Sequence, residues 1–252
     1  MSVTRAEICE AIQAIGVRSG ELLIAHSSFR SFGGVEGGPE AVAGALIDVV
    51  QPGGSIFMPT FNYGELAYDA RTTRSLTGAI TEAFHQLLGV SRSLHPTHPV
   101  AGFGPNVQEI LRDHDKVHAF GRGSPLGRLR ERDAWVLLIG CDHRANSMIH
   151  VAEELVGVPY LNRTRIGRVI RNGIESTIEV RRPGCSESFN VVDALLREAS
   201  AIFDGNVGAS RIMLMRSKML VETVAQMLRQ DPAALLCPPG HCDVCDEARQ
   251  ML

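Results

Sequence analysis

Residues 22–60 read LLIAHSSFRSFGGVEGGPEAVAGALIDVVQPGGSIFMPT. The two short apolar runs, Leu22–Ala25 and Ser55–Met58, are typical of buried strands. Between them, Pro39 begins a segment whose apolar residues recur at helical spacing, and proline is well suited to a first helical turn. A strand, a helix and a strand in this order predict a parallel pair joined by a right-handed crossover.

The rest of the chain extends this pattern. Trp135–Ile139 is a third apolar run, and it precedes a helix that is capped by Asn146 or Ser147 and carries His150. Arg165–Ile170 and Ile174–Val180 flank an Asn-Gly dipeptide, which predicts a hairpin with a type I′ turn. We therefore predict an α/β fold in which a central mixed, mostly parallel sheet is flanked by helices and accompanied by an antiparallel hairpin. Further predictions are helices over 79–88, 191–199 and 217–230 and an irregular, proline-containing loop over 91–105.

Composition limits the classes of function. The chain has 252 residues, a formal net charge of −3 and no long apolar segment, so we expect neither a nucleic-acid partner nor a membrane. The first residues lack the apolar region of a secretory signal, which predicts a cytoplasmic protein. Six cysteines then indicate free thiols or a metal site rather than disulfides. We expect a single domain over 1–252 with a peripheral tail over 232–252.

Several segments together resemble one known enzyme family, the aminoglycoside 3-N-acetyltransferases, which are also called antibiotic acetyltransferases. They occur in the family's order and cover about residues 20 to 215. The segments are His26-Ser27-Ser28 with Gly33 and Gly37-Gly38-Pro39, Met58-Pro59-Thr60-Phe61, Arg92-Ser93-Leu94-His95-Pro96-Thr97-His98, Gly123-Ser124-Pro125-Leu126-Gly127, Asn146-Ser147-Met148-Ile149-His150-Val151-Ala152-Glu153 and Gly205-Asn206-Val207-Gly208-Ala209.

The resemblance implies a fold distinct from the GNAT acetyltransferases. It also implies direct transfer of an acyl group from acetyl-CoA to a primary amine, with neither a catalytic metal nor a covalent enzyme intermediate. The acceptor that the resemblance predicts is an aminoglycoside or a related amino-sugar or biosynthetic amine. Its candidate carboxylate partners in this chain are Glu65, Asp69, Glu153 and Glu154.

His150 is the candidate catalytic base. An attacking amine must lose a proton, and imidazole is the side chain whose pKa suits that task near neutral pH. On a helix, His150 and Glu153 lie on one face, so the carboxylate can fix the tautomer of the ring. A charged surface helix with an incidental histidine would show the same spacing, and the family resemblance is what favours the catalytic interpretation.

The candidate CoA site combines hydroxyls, a cation and glycine-rich backbone. Ser27 and Ser28 follow a strand end, where ligands bind in open α/β sheets, and Gly33 lies in a loop that could approach phosphates closely. The alternative for the glycines is a simple flexible turn, and for the histidines a hydrogen-bonding role within the protein. The predicted CoA contacts are Ser27, Ser28, Gly33, Arg92, Ser93, His95, Thr97, Ser124 and Leu126.

Three alternatives to this mechanism remain open. Cys141-Asp142-His143 follows a buried strand, so a cysteine nucleophile with a covalent acyl-enzyme is one alternative. A metal hydrolase built on Asp142, His143 and His150 is less favoured, because no HExxH-type spacing is present. The third alternative is a non-catalytic CoA-binding module.

The C-terminal segment Cys237 to Cys245 holds four soft ligands, Cys237, His241, Cys242 and Cys245. One C-x-x-C pair can chelate zinc, and Cys185 could add a ligand if the hairpin folds back onto the tail. A zinc ribbon needs a second C-x-x-C pair, which this sequence lacks. The spacing therefore favours free, reduced cysteines over a structural zinc remote from His150.

Overall fold

The computed structural model describes residues 2–252, which form ten strands and nine α-helices. The strands are β1 (Leu22–Ser27), β2 (Ser55–Pro59), β3 (Tyr68–Asp69), β4 (Ser91–Arg92), β5 (Val100–Phe103), β6 (Trp135–Ile139), β7 (Thr164–Arg171), β8 (Ile174–Arg181), β9 (Phe203–Val207) and β10 (Ser210–Arg216). The helices are α1 (Arg5–Ala14), α2 (Gly38–Val50), α3 (Ala79–Gln86), α4 (Val107–Leu111), α5 (Pro125–Glu131), α6 (Met148–Val156), α7 (Val192–Glu198), α8 (Ser217–Gln230) and α9 (Asp243–Arg249).

The main sheet has seven strands in the order β4-β5-β2-β1-β6-β10-β9. β1 pairs in parallel with β2 and with β6, as the crossover through α2 predicts. The outer pairs are antiparallel, so parallel pairing is confined to the three central strands. Two apolar cores flank the sheet, one containing α1, α2 and α3 and the other containing α5, α6 and α8. The predicted mixed sheet with a parallel centre is confirmed.

The predicted hairpin is also confirmed. β7 and β8 pair antiparallel from Thr164 to Arg181, and their turn residues Asn172 and Gly173 have φ values of 53° and 78°. Positive φ at both positions is what a type I′ turn requires. The short strand β3 extends this hairpin into a small second sheet.

The prediction of an irregular loop over 91–105 is wrong in part. β4 and β5 lie within it and pair with each other, and β5 also pairs with β2. Pro96 and Pro99 fall between the two strands, so neither removes a donor from the ladder. Proline therefore marks the connection here and does not exclude the strands.

The tail over 232–252, expected at the periphery, is integrated into the protein. Leu235 and Cys245 are fully buried, and Leu236 and Ala248 are nearly so, all within the core cluster that includes α6 and α8. α9 packs against the 3-10 turn Pro159–Asn162, which follows α6. None of the helices between residues 2 and 252 is long and apolar enough to cross a membrane.

Two strand ends meet where α6 begins. Ser27 at the end of β1 lies in register with Ile139 at the end of β6. The chain leaves β6 through a short 3-10 turn at His143–Ala145 and then enters α6. His26 and His150 thereby reach one edge of the sheet, where parallel strands place ligand sites.

Candidate active site

A cavity of about 970 Å³ opens at this edge of the sheet. Such a volume lies at the upper end of the range for small-molecule sites, roughly 300–1,000 Å³. His26, Ser27 and Ser28 line it from β1, and His150 lines it from α6. A segment over 183–186, which we call the strap, forms another part of its wall.

His150 belongs to a buried chain of hydrogen bonds. Its Nδ1 lies 2.5 Å from Oε2 of Glu153, a residue that is only 1% exposed. The Tyr160 hydroxyl donates to the other oxygen, Oε1, at 2.7 Å. Burial, the Glu153 charge and this hydrogen bond all raise the pKa of Tyr160. Because a carboxylate accepts from Nδ1–H, the neutral ring carries its free lone pair on Nε2.

Aromatic rings hold the imidazole of His150 in place. Phe120 stacks on it with ring centroids 4.7 Å apart, and Phe189 meets it edge-on at 4.9 Å. Both aromatic residues line the cavity with His150. The Nε2 atom makes no hydrogen bond to any residue between 2 and 252, which leaves it available to a ligand.

His26 fixes the start of α6. Its Nε2 accepts the backbone N–H of Ser147 at 3.2 Å and lies 2.8 Å from the Ser147 hydroxyl. Burial and the neighbouring His143 lower the pKa of His26 to about 3, so the ring is neutral and can accept. His150 follows one turn later. Of the two predicted caps, Ser147 occupies the N-cap position but makes no side-chain capping bond, whereas Oδ1 of Asn146 accepts the backbone N–H of Met148 at 3.2 Å.

Arginines give the cavity a positive wall that sequence reasoning missed. Arg30, Arg144, Arg165 and Arg182 line it, and among these only Arg144 forms an ion pair with a described residue. Burial lowers the pKa of Arg165, and the neighbouring Arg182 lowers it further. Arg165 and Arg182 lie at the open end of the hairpin. The predicted ends of its two strands are therefore the sequence feature from which these arginines could have been found. The uncompensated positive charge suits an anionic ligand.

The structure brings only two predicted CoA contacts, Ser27 and Ser28, to the cavity. Ser27 Oγ is buried and has no partner among the described residues, so it is free to bond a ligand. Arg92 does not line the cavity. Its guanidinium donates to the Thr60 carbonyl and hydroxyl and to the Thr73 carbonyl, and these contacts explain its burial inside the protein.

The remaining predicted CoA contacts also lie away from the cavity lining. Ser93 Oγ bonds His114 and the Val100 backbone, while His95 Nδ1 accepts from the backbone of Thr97 and His98. These contacts match the alternative in which the histidines bond within the protein. The other four predicted contacts are also engaged inside the protein or lie in its loops. They are Thr97, whose buried hydroxyl lies 2.6 Å from Nδ1 of His98, Ser124, which caps α5, Leu126, which is buried in the core, and Gly33, whose loop bonds to Val3 through Gly34.

Cys141 is poorly placed to act as a nucleophile. It does not line the cavity, and burial raises the pKa of its thiol to about 12. The adjacent His143 makes its contacts with Asn146 and Asp193 and none with Cys141 among residues 2–252. The thiolate needed for a covalent acyl-enzyme is therefore not stabilised here.

The candidate acceptor carboxylates divide into two groups. Glu153 is committed to His150 and Tyr160, and Glu154 pairs with Arg181. Glu65 is exposed, and Asp69 accepts the backbone N–H of Arg71. None of these four lines the cavity described above.

Comparison with known proteins identifies the family. The model of the family described as aminoglycoside 3-N-acetyltransferase matches residues 24–229. Aminoglycoside N(3)-acetyltransferase IV from Salmonella sp is 33% identical over 239 residues, which are 93% of this chain and 91% of the relative. The aminoglycoside N(3')-acetyltransferase-like protein YokD from Bacillus subtilis is 32% identical over 206 residues, 71% of this chain and 72% of that one.

A solved structure agrees across the whole chain. The crystal structure of aminoglycoside acetyltransferase AAC(3)-IVa in complex with a gentamicin, a histidine-to-alanine variant, has a TM-score of 0.92 at 32% identity. The match covers 100% of this chain and 98% of that one. The chain therefore belongs to the aminoglycoside 3-N-acetyltransferase family, and with it to the acetyl-CoA-dependent N-acyltransferases.

Proposed function

We propose that this chain transfers the acetyl group of acetyl-CoA to an amino group of an aminoglycoside, with His150 as the general base. One observation carries the proposal: Nδ1 of His150 is held by Glu153 while Nε2 is unbonded at the cavity. The relative from Salmonella sp that matches over 93% of the chain is named for this activity. The gentamicin bound in the structural relative indicates the class of acceptor.

The chemistry follows from this tautomer. The acceptor amine attacks the thioester carbonyl, and Nε2 of His150 takes the proton that the nitrogen loses as the C–N bond forms. Glu153 stabilises the resulting imidazolium through Nδ1–H. When the C–S bond breaks, the imidazolium returns the proton to the departing sulfur. The products are an amide and free CoA thiol, and His150 is again neutral.

The arginines and the end of β1 suit the CoA phosphates. Arg30 lies shortly after Ser27 and Ser28 in the chain and lines the same cavity without an ion pair to a described residue. Guanidinium binds phosphate oxygens in a bidentate manner, and serine hydroxyls add further hydrogen bonds. We assign the phosphates of CoA to this side, with the thioester directed toward His150.

The activity is tested by measuring release of free CoA thiol from acetyl-CoA in the presence of gentamicin, apramycin and a simple monoamine. We expect aminoglycoside-dependent thiol release and a product heavier by one acetyl group. Thiol release that is independent of every amine, or the absence of an acetylated amine, would contradict the proposal. An acetylated protein formed from acetyl-CoA alone would instead favour the covalent mechanism at Cys141.

Arg30→Ala should weaken binding of the donor more than it slows the chemistry. Loss of one guanidinium–phosphate contact is expected to raise the KM for acetyl-CoA by roughly tenfold with little change in kcat. Arg229→Ala is the matched control, because Arg229 is exposed on α8 and outside the cavity. An unchanged KM with a reduced kcat would show that the phosphates bind elsewhere.

A further inference from the structure

Four thiols from two separate segments converge beside the cavity. Cys185 belongs to the strap, Cys237 precedes α9, and Cys242 and Cys245 lie at the N-terminus of α9. Their Sγ atoms all lie within 4.8 Å of one another. Cys237 and Cys245 are buried, and the other two are partly exposed.

The spacing of the sulfurs is that of a tetrahedral metal site. A tetrahedron with metal–sulfur bonds of about 2.3 Å has sulfur–sulfur edges of about 3.8 Å. The Sγ of Cys185 lies 3.8 Å from that of Cys237 and 3.9 Å from that of Cys242. A disulfide would need about 2.05 Å, so the same sulfurs are not bonded in pairs.

Backbone donors point at two of these sulfurs. The N–H of Cys237 donates to Sγ of Cys245 at 3.3 Å, and the N–H of Cys245 donates to Sγ of Cys242 at 3.4 Å. Such N–H groups stabilise the negative charge of a metal-bound thiolate. The loop before α9 is therefore already shaped around sulfur acceptors.

We propose that Cys185, Cys237, Cys242 and Cys245 bind one structural zinc ion. Four thiolates in a closed tetrahedron suit zinc, which has no redox chemistry and needs no open position in a structural site. The sequence favours free thiols because it contains a single C-x-x-C pair. The fold supplies the other two ligands, Cys237 from the same C-terminal segment and Cys185 from 52 residues before Cys237, so the four thiols meet only through tertiary packing.

The site ties the C-terminal tail to the wall of the cavity. Cys185 lines the cavity together with Gly184, and Val244 reaches the same wall from α9. Gly184 packs so closely on Glu153 that an added Cβ would lie 2.7 Å from its Oε1. The zinc thus fixes the strap behind the carboxylate that holds His150. Cys185 lines the same cavity as His150, whereas the sequence alone predicts a site remote from that residue.

The zinc content of the full-length protein, purified without chelator and without added metal, is the primary test. We expect about one zinc per chain by elemental analysis, given four thiolate ligands. Cys242→Ser should lower the zinc content at least tenfold. Cys9→Ser is the matched control, because Cys9 is a half-buried thiol bonded to the Ala45 carbonyl and distant from this cluster. It should keep the full zinc content.

Metal removal gives a second readout that needs no variant. A zinc chelator is expected to lower the Tm of the parent protein by about 10 °C, and added zinc should restore it. Hydrogen exchange should increase in the strap and in residues 236–248 upon chelation. Fewer than about 0.1 zinc per chain in the parent protein would overturn the proposal, since a structural site holds one ion. Equal zinc content in the parent and Cys242→Ser would do the same, as it would identify the metal as adventitious.

Discussion

His150→Ala is expected to lower kcat for acetyl transfer to an aminoglycoside by about 10²- to 10⁴-fold, the usual contribution of a general base. The variant should still bind acetyl-CoA, because the hydroxyls and arginines of the cavity are unchanged. Among residues 2–252, His150 is the only histidine at the cavity whose Nδ1 is held by a carboxylate. Its Nε2 makes no hydrogen bond to these residues. Steady-state thiol release, with calorimetry for CoA, separates the two effects.

The control histidine is His118, whose side chain is 44% exposed and lies outside the cavity. His118→Ala should retain the parent kcat. Glu153→Gln should be milder than His150→Ala, because Glu153 orients the ring without accepting the proton from the amine. Parent-level activity in His150→Ala would refute the assignment of the base. A loss of folding in that variant, seen by circular dichroism, would direct the test to His150→Gln, for which we expect the same fall in kcat.

The strand–helix–strand unit and the hairpin could be predicted because the residues that determine each of them lie close together in the sequence. The apolar runs of β1 and β2 and the helix between them form one crossover unit, and the Asn172-Gly173 turn determines the register of the hairpin. β5 could not be predicted from the prolines around it, because its pairing with β2 is a tertiary contact. β9 contains Asp204, Gly205 and Asn206, and only the edge position of this strand next to β10 explains why such residues form it.

The candidate site divides in the same way. The i, i+3 spacing predicts that His150 and Glu153 share one face of a helix, and the structure places them in contact. The sequence predicts that Arg92 binds CoA, because it shows only a cationic side chain close to hydroxyl-bearing residues. Its true partners, the Thr60 and Thr73 carbonyls, lie 32 and 19 residues away in the sequence. Tyr160 and the arginines at the open end of the hairpin reach the site only through tertiary packing.

Of the five buried histidines outside the proposed chemistry between residues 2 and 252, four have a pKa far below its ordinary value and are neutral rings. His26, His95, His98 and His114 are each no more than 5% exposed. Burial is the main cause that lowers the pKa of every one of them, to about 3 for His26 and His114 and well below its ordinary value for the other two. Each ring also makes hydrogen bonds inside the protein, as His114 does with Ser93 and the Ala119 carbonyl.

These histidines should make the protein unstable in mild acid. In the unfolded chain each ring binds a proton near its ordinary pKa of about 6.5, whereas the folded protein excludes that proton until a much lower pH. The free energy of unfolding is therefore undiminished by these rings above about pH 6.5. It decreases as the pH falls from there toward the pKa that each ring has in the folded protein. Between pH 7 and pH 5 the loss is about 2 kcal/mol for each of His26 and His114, whose pKa in the folded protein is about 3, and His95 and His98 add to the loss in the same direction.

Urea unfolding at pH 7, 6 and 5 measures this dependence, and one variant isolates a single ring. His114→Gln retains a polar side chain at the site but cannot titrate, so the fall in unfolding free energy between pH 7 and pH 5 should shrink by about 2 kcal/mol relative to the parent. His241→Gln, at an exposed position in the tail, is the control and should leave the dependence nearly unchanged.

Carboxylates whose pKa is lowered, such as Asp204, also make the protein less stable as the pH falls. They do so only at a pH below their ordinary pKa range, so they contribute little above pH 5. Equal unfolding free energies for the parent protein at pH 7 and pH 5 would mean that the buried rings take up protons in the folded state.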